Sequence, residues 1–293
     1  MPTKTRAYSA GLLLLALVIL VPRPAAAQTD LSGYWAPIFH EDQPERIPGP
    51  EIGDYAGLPI NEAARLRADS WDASLLTLPE HQCKPHPSTY GFRGVGLLRI
   101  SPTIDDATQQ IIQINTHIMW QEQQRAIYMD GRPHPPEYAA HTWQGFSTGT
   151  WDGNVLTVKT THLKAGWMRR NGLALSDRAT LTDRFIRHGD VLTHVMMIED
   201  AVYLSEPLVK TNGFRLNPNA RMDPYPCQTV VEVERPLGYV PHHLPGTNPF
   251  LGELSERYKI PAEAFRGGSE TMYPEYAAKV VTKTPAKTSA QAR

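Results

Sequence analysis

The sequence predicts a mainly β protein built around a single antiparallel barrel or a barrel-like sandwich, with long proline-rich arms at both ends and a few short helices. Three observations support this prediction. The middle of the chain is rich in β-branched and aromatic runs, turn dipeptides separate these runs, and the links between them are short. Short links make consecutive strands antiparallel, and about eight such strands can close into a barrel with room for one ligand.

The first 27 residues have the form of a secretory signal peptide. Lys4 and Arg6 precede an apolar run at residues 11–21, and three alanines at residues 25–27 match a signal-peptidase site. The run is too short to span a bilayer comfortably, although an uncleaved anchor is the alternative. We therefore predict an exported protein, periplasmic or secreted, with no membrane attachment after cleavage.

The charge of the mature chain argues against nucleic acid as a partner. The signal peptide contains three of the 29 basic residues and none of the 30 acidic ones, so removing it leaves a net charge of −4. Binding to nucleic acid needs a basic stripe, and the sequence shows none. The partner that we predict is a small molecule, and the oligomeric state stays open.

Composition divides the mature chain into an N-terminal arm at residues 28–96, a β core at 97–235, a C-terminal arm at 236–281 and a disordered tail at 282–293. The first arm contains one predicted helix, for which Asn61 is a good N-cap and Glu62 favours the first turn. A second short helix is predicted near residues 251–258. The pattern favours one domain wrapped by its arms over two domains.

The sequence Gly33-Tyr34-Trp35 resembles the Gly-x-Trp motif of lipocalin-like barrels, in which the tryptophan of the first strand plugs the closed end. The resemblance implies a barrel with a ligand cavity. Alternating runs predict strands at residues 109–121, 123–129, 146–151, 155–162, 179–188, 191–198, 207–215 and 228–234.

Two hairpins allow the inward-facing residues to be predicted. If Gly189 and Asp190 form a two-residue turn, one face of the second hairpin is apolar except for Asp183 and His194, which lie diagonally across the ladder. If Gly153 and Asn154 form the turn of the first hairpin, its inner face carries Ser147, Gly149, Trp151, Leu156, Val158, Thr160 and His162. Such a face is typical of a ligand cavity and equally of an ordinary sheet core.

A buried carboxylate is costly, so Asp183 must be paired, protonated, or in contact with a ligand or water. His194 beside it would be held in one tautomer and could accept a proton, which would make an acid-base dyad. The alternative is structural, with Asp183 paired to an arginine and His194 filling space.

The stretch "IYMDGRPHPPEY" at residues 127–138 must turn at Asp130-Gly131, because the prolines that follow prevent a ladder partner. In a structural interpretation, Asp130 caps the turn and Arg132 reaches a carboxylate. In a functional interpretation, Arg132 and His134 form the rim of a cavity near Tyr128 and Trp143 and bind an anionic or hydroxylated ligand.

Three other signals are weaker. Residues 145–149 match Gly-x-Ser-x-Gly, but a strand follows where a nucleophile elbow needs a helix, so Ser147 is not predicted to be a nucleophile. The histidine pairs lack metal-ligand spacing, so neither a metal nor a cofactor is predicted. Cys83 and Cys227 are predicted to form a disulfide in an oxidising compartment, although the sequence cannot show that they come within range.

The segments "RAIYMDGRPHP", "TWQGFSTGTWDGNVLTVKT" and "TLTDRF" together resemble a large family of exported bacterial proteins without an assigned activity. That family shares the turn, the hairpin and a later Asp/Glu-Arg-Phe strand. The resemblance covers residues 109–204, and it implies export but no reaction.

The leading functional prediction is a barrel cavity that binds a hydrophobic or aromatic small molecule, with Asp183, Arg132, Trp143 and Trp151 around it. The first alternative is a cofactor-independent lyase, isomerase or hydrolase that uses Asp183 with His194 or His134, while Arg132 stabilises negative charge. The second alternative is a scaffold whose arms bind a partner.

Overall fold

The computed structural model describes residues 29–38, 49–92, 96–228, 234, 236–237 and 242–283. The predicted signal peptide, residues 229–233 of the predicted strand at 228–234 and most of the predicted tail lie outside these residues. No helix in the described part of the chain is long and apolar enough to cross a membrane.

The predicted barrel is confirmed, and it is closed. It consists of β1 (Gly33–Ile38), β2 (Leu98–Ile104), β3 (Ile111–Ile118), β4 (Gln123–Tyr128), β5 (Phe146–Asp152), β6 (Val155–Thr161), β9 (Thr180–His188), β10 (Val191–Glu199) and β11 (Leu208–Leu216). These strands follow one another around the barrel in chain order, and β1 pairs with both β2 and β11. Two short strands, β7 (Gly166–Trp167) and β8 (Ala174–Leu175), form a separate ribbon in the β6–β9 connection.

The barrel has nine strands, so the prediction of about eight was wrong. Seven of the predicted ranges are barrel strands, and the two barrel strands without a predicted range are β1, which carries the Gly-x-Trp motif, and β2. In β2, Pro102 argues against a strand in the sequence. Pro102 is tolerated because β1 pairs with β2 only as far as Ile100, and one side of Pro102 therefore has no ladder neighbour in β1.

The odd number of strands has a topological consequence. A closed ring of nine strands cannot reverse direction at every neighbour, so at least one pair must be parallel. That pair is β4 and β5, where Ile127 aligns with Ser147 and Tyr128 with Thr148. The prediction that neighbouring strands are all antiparallel was therefore wrong at this seam, since the link at residues 129–145 is long enough to carry the chain back.

Both predicted hairpin registers are confirmed. Asp152 pairs with Val155 in the first hairpin, and His188 pairs with Val191 in the second. Gly153 and Gly189 each have a φ of +58°, which glycine adopts without strain. As a result, Asp183 lies opposite Met196, His194 lies opposite Phe185, and both polar side chains face inward.

One end of the barrel is filled by Trp35, which is fully buried. Its Nε1 donates a hydrogen bond to the carbonyl oxygen of Leu31 at 3.0 Å, and the Arg187 guanidinium lies 5.3 Å from its ring centroid. Around it is an apolar cluster that includes Leu98, Ile114, Ile127, Leu156, Phe185, Leu192 and Phe214.

The other end is covered by the N-terminal arm. Its main helix, α1 (Glu62–Asp69), begins as predicted at Asn61, whose side chain accepts a hydrogen bond from the Ala64 amide. Tyr55, Ala64 and Ala68 pack with barrel residues such as Met196 and Leu208 in a second apolar cluster.

The remaining helices are short. They are α2 (Pro79–Gln82), α3 (Ser88–Gly91), α4 (Glu253–Tyr258), α5 (Glu263–Arg266) and α6 (Pro274–Lys283), with 3-10 turns at Ala73–Thr77, Trp120–Glu122, Pro249–Gly252 and Ser269–Met272. The α4 helix lies within the region predicted from the sequence. Cys83, which follows α2, forms a disulfide with Cys227, and their Cα atoms are 5.5 Å apart.

Residues 87–92, which include α3, form a plug that enters the barrel. All four residues of α3 are buried, and Ser88 donates a hydrogen bond from Oγ to the carbonyl oxygen of Gln144 at 2.8 Å. The ring of Phe92 lies 4.2 Å from that of His194 and 5.6 Å from that of Phe185, measured between centroids. The plug therefore contacts the middle layer of the barrel, where the polar side chains lie.

Candidate functional site

A buried ion pair lies between the two apolar clusters. Arg125 belongs to β4 and faces inward because it is two residues from the buried Ile127. Its Nη2 lies 2.7 Å from Asp183 Oδ2, and the two side chains are only 2% and 0% exposed. Strands β5 and β6 lie between β4 and β9 in the barrel wall, so the pair spans two intervening strands.

Those two strands supply hydroxyl groups that support the arginine. Arg125 Nε donates to Ser147 Oγ at 2.8 Å, and Arg125 Nη2 also contacts Thr160 Oγ1. Ser147 Oγ and Thr160 Oγ1 are 2.9 Å apart and hydrogen-bonded to each other. Ser147 is therefore fully engaged on a regular strand, as expected for a residue that is not a nucleophile.

The other oxygen of Asp183 binds His194. Asp183 Oδ1 lies 2.8 Å from His194 Nε2, and His194 Nδ1 lies 3.2 Å from Asn212 Nδ2. An ionised carboxylate only accepts hydrogen bonds and an amide nitrogen only donates them, so the proton of the neutral imidazole is on Nε2. Phe92 and Phe185 both lie against the imidazole ring.

The network keeps Asp183 ionised. Burial raises the pKa of this carboxyl, but the adjacent Arg125 guanidinium and the hydrogen bond from His194 outweigh burial and hold the pKa below its ordinary value. A carboxylate with a low pKa is a weak base, so Asp183 is better suited to orienting Arg125 and His194 than to abstracting a proton.

The network is incomplete. Three side-chain atoms of β4 and the plug are buried with no hydrogen-bond partner in the described residues: Arg125 Nη1, Gln123 Oε1 and Thr89 Oγ1. Gln123 shares the inner face of β4 with Arg125, and a Cβ built on Gly91 of the plug would lie 2.7 Å from Gln123 Oε1. Buried polar groups are rarely left unpaired, so this part of the barrel is a candidate ligand site.

The site combines residues that the sequence predicted with one that it missed. Asp183, His194 and Ser147 meet as neighbours, and the three motifs that carry the family resemblance supply Arg125, Ser147 and Asp183. Arg125 was not predicted as a site residue. It could have been predicted from the sequence, because residues 123, 125 and 127 share one face of a strand and a buried carboxylate needs a cation nearby.

No family model, curated protein or solved structure matches this chain. The resemblance to exported bacterial proteins therefore stays a prediction, and function has to be inferred from the geometry of the chain itself.

Two predicted ligand residues, Tyr128 and Arg132, lie at the end of β4 and on the turn that follows it. Arg132 forms a salt bridge with Asp130 at 2.5 Å, and its guanidinium lies 3.9 Å from the Tyr128 ring centroid. Tyr128 follows the inward-facing Ile127, so it faces the outside. The prediction that Arg132 forms the cavity rim and stabilises charge beside Asp183 was wrong, and the structural interpretation of this turn is the one that the contacts support.

His134 and His162 lie on the outer wall, in an open cleft of about 570 Å³ that His141, Glu137 and Asp177 also line. The prediction that His162 shares the inner face of the first hairpin was therefore wrong, because β6 ends at Thr161 and the φ of +58° at His162 breaks the alternation of the strand. His134 was considered as a partner for Asp183, but it contacts the hydroxyl groups of Thr148 and Thr161 at 2.9 and 2.7 Å instead.

Thr161 connects the two histidines, since its Oγ1 is also 2.7 Å from His162 Nδ1. His162 Nε2 donates to the carbonyl oxygen of Pro136 at 3.0 Å, so in neutral His162 the Nδ1 atom accepts from Thr161. Thr161 then accepts from His134 Nδ1, and Thr148 donates to His134 Nε2. Burial, His162 and Lys159 lower the pKa of His134, which favours this neutral chain.

The two predicted tryptophans are separated by the length of β5. Trp143 precedes β5, and Lys84 and Lys164 each lie 5.3 Å from its ring. Trp151 lies near the other end of β5, where it lines a mainly apolar cavity of about 160 Å³ together with Leu31 and Ile100. The prediction that Trp143, Trp151 and Arg132 surround one cavity was therefore wrong. Among the described residues, no group of three or more His, Cys, Asp or Glu side chains could hold a metal ion.

Proposed function

We propose that this protein is an exported small-molecule-binding protein and that its barrel takes a compact hydrophobic or aromatic ligand beside Arg125. The observation that carries the proposal is the buried Nη1 group of Arg125, which has no acceptor in an otherwise connected network. A buried donor without a partner costs about 1–3 kcal/mol. A ligand oxygen at this position would remove that cost, and the apolar clusters on both sides would contact the rest of the ligand.

The hydrogen-bond pattern favours binding over acid-base catalysis in the barrel. Asp183 is paired on both oxygens, and both ring nitrogens of His194 are occupied. Each of these polar atoms is thus already held by a neighbouring protein group rather than presented to a substrate. The donor that is left without a partner belongs to Arg125, and a guanidinium offers hydrogen-bond donors and no acceptor, so it is suited to binding rather than to transferring protons.

Entry of a ligand requires movement of the plug. Phe92 lies against His194 and Phe185, so displacing it would open the layer that contains Arg125. The plug begins soon after Cys83, whose disulfide fixes the preceding segment, and the hydrogen bond from Ser88 to Gln144 holds its start. A local opening of residues 87–92 would expose the site without separating any barrel strands.

The proposal is tested with two ring molecules of matched shape, acetophenone and ethylbenzene, which differ in one carbonyl acceptor. Calorimetric titration should show tighter binding of acetophenone by about tenfold, as expected for one hydrogen bond to a charged donor. Arg125→Lys keeps the charge beside Asp183 but lacks the second terminal nitrogen, so it should remove the preference. Equal or undetectable binding of both probes, with only ordered water on Nη1 in a crystal structure, would refute the proposal.

A second candidate is an acid-base enzyme that uses the outer cleft rather than the barrel. The hydrogen-bonded chain from Thr148 through His134 and Thr161 to His162 favours it, because such a chain can move a proton along its length. Thr161→Val removes the hydroxyl group that links the two histidines and so interrupts the hydrogen-bonded chain on the barrel surface. If a turnover activity is found, this variant should lower kcat while leaving the acetophenone affinity of the barrel unchanged.

A further inference from the structure

A second concavity lies outside the barrel, between α1, the segment after α2 and the C-terminal arm. Its volume is about 240 Å³, and we call it the cationic pocket. The residues that matter in it are Arg67, Trp71, His81, Lys84, Trp167 and His242. In the sequence, His81 and His242 were considered only within histidine pairs that lack metal-ligand spacing, and the other four were not singled out, because the six residues come from four separate segments.

The charge of this pocket is one-sided. Arg67 and Lys84 contribute two cations, His81 and His242 add two imidazole rings, and no acidic side chain is among the lining residues. Burial and the nearby Lys164 lower the pKa of Lys84, and no carboxylate is among the groups that act on it. Two cations that line one concavity, with no carboxylate among its lining residues, are an arrangement that an anion stabilises.

The walls of the pocket are aromatic. The rings of Trp71 and Trp167 meet edge to face, with centroids 4.5 Å apart and planes inclined by 64°. Trp71 is 3% exposed, and its Nε1 donor is buried without an acceptor in the described residues. An indole group usually finds a hydrogen-bond partner when it is buried, so a missing acceptor at this wall is a second sign of a ligand.

We propose that the cationic pocket binds a small anion with a flat ring, of the aromatic carboxylate class. The anionic group would lie between Arg67 and Lys84, and the ring would pack on the tryptophans. The volume is below the range of 300–1,000 Å³ that is typical for drug-sized ligands, so a single ring is the expected size. This inference is independent of the barrel site, which needs only an acceptor for Arg125.

The disulfide is placed to hold this pocket together. Cys83 directly precedes Lys84 and lies two residues after His81, and Cys227 ties this segment to the chain beyond β11. Two of the four basic side chains are thus fixed by one covalent link. Reduction of the disulfide should weaken anion binding even where the barrel remains folded.

The test is calorimetric titration of the full-length mature protein with benzoate, phenyl phosphate, inorganic phosphate and benzyl alcohol. Benzoate should bind, benzyl alcohol should bind at least tenfold more weakly, and the benzoate affinity should fall as salt is raised. Phenyl phosphate tests whether another anionic group can replace the carboxylate on the ring, and inorganic phosphate tests whether an anion binds without a ring. Phosphate binding as tightly as benzoate would show a bare anion site and would overturn the aromatic carboxylate assignment.

Variants connect the binding to these residues. Lys84→Met and Arg67→Met should each weaken benzoate binding about tenfold or more, because each removes a charge-assisted contact. Trp71→Phe keeps the ring but removes the Nε1 donor, and it should weaken binding as well. Arg184→Met, which removes one exposed cation on β9, is the matched control and should have no effect.

Two further outcomes would overturn the inference. The first is the absence of benzoate binding at millimolar concentration to the folded wild-type protein, with folding checked by circular dichroism. The second is benzoate binding that Arg125→Lys abolishes and Lys84→Met leaves unchanged, since this would assign the carboxylate to the barrel. In the expected case, benzoate also raises the pKa of His81 measured by NMR, because a bound anion favours the charged imidazolium.

Discussion

Arg125 and Asp183 meet inside the closed barrel at 2.7 Å, with almost no exposure to solvent on either side chain. The pair joins β4 to β9 across two intervening strands, and it fixes the position of His194. Its burial determines what can be expected of variants in the barrel.

Asp183→Asn should reduce the free energy of unfolding by about 3–5 kcal/mol, because it leaves the Arg125 charge buried without a counter-ion. The measurement is equilibrium urea unfolding with the disulfide intact. The matched control is Asp152→Asn, at the exposed end of the first hairpin, which should change stability by less than about 0.5 kcal/mol. A loss below 1 kcal/mol for Asp183→Asn would mean that the pair is not stabilising.

The stabilisation by Asp183 should also depend on pH. The folded-state pKa of this carboxyl is lowered, so its contribution is complete above the unfolded value of about 3.9 and is lost as pH falls through the folded value. The difference in stability between the wild-type protein and Asp183→Asn should therefore narrow below about pH 4. A difference that stayed constant down to pH 2 would contradict the assigned charge state.

Reduction of the Cys83–Cys227 disulfide should lower the free energy of unfolding by on the order of 2–5 kcal/mol, since the bond closes a long loop of the unfolded chain. Unfolding with and without dithiothreitol measures the effect. The double variant Cys83→Ser and Cys227→Ser is the control, and it should not respond to the reductant.

His134 should titrate below the ordinary histidine value of 6.5, because burial, His162 and Lys159 disfavour its charged form. NMR of the ring protons follows this titration directly. Lys159→Met should move the midpoint upward, whereas Arg99→Met on β2 should not. Since the unfolded chain takes up the proton first, this residue makes the protein less stable as pH falls below about 6.5.

The N-terminal arm from residue 49 to residue 92 should resist limited proteolysis in the isolated protein. Tyr55, Ala64 and Ala68 are completely buried against the barrel, so trypsin should reach Arg65 and Arg67 only after local unfolding. Rapid cleavage at these sites would instead favour the scaffold alternative, in which the arm becomes ordered on a partner.

The local parts of the fold could be predicted from the sequence. Glycine turns at Gly153 and Gly189 determine the hairpin registers, and the two-residue period of a strand then determines which side chains face inward. This reasoning was sufficient to predict that Asp183 and His194 face the barrel interior. The β2 strand was missed because a proline in a strand is tolerated only where one side has no ladder partner, and this depends on the end of β1.

The non-local parts could not be predicted. The partner of Asp183 comes from a strand 58 residues earlier in the chain, and only barrel closure brings it near. The same holds for the plug and for the cationic pocket, whose members belong to separate segments. Arg132 was a reasonable candidate because it lies within the motif at residues 127–138. Its guanidinium pairs instead with Asp130 of the same exposed turn.

The parallel pairing of β4 and β5 has a consequence for the outer cleft, because it determines the route of the chain between these two strands. The chain has to travel back along the exterior between Tyr128 and Phe146, and His134 and His141 lie on this return path. Its backbone contacts to the barrel lie near its two ends, where the Met129 amide donates to the carbonyl oxygen of Ile112 and Thr142 bridges Leu163, so substitutions between these ends leave the ladders in register. The outer cleft can thus be redesigned, residue by residue, while the ion pair and its apolar surroundings stay intact.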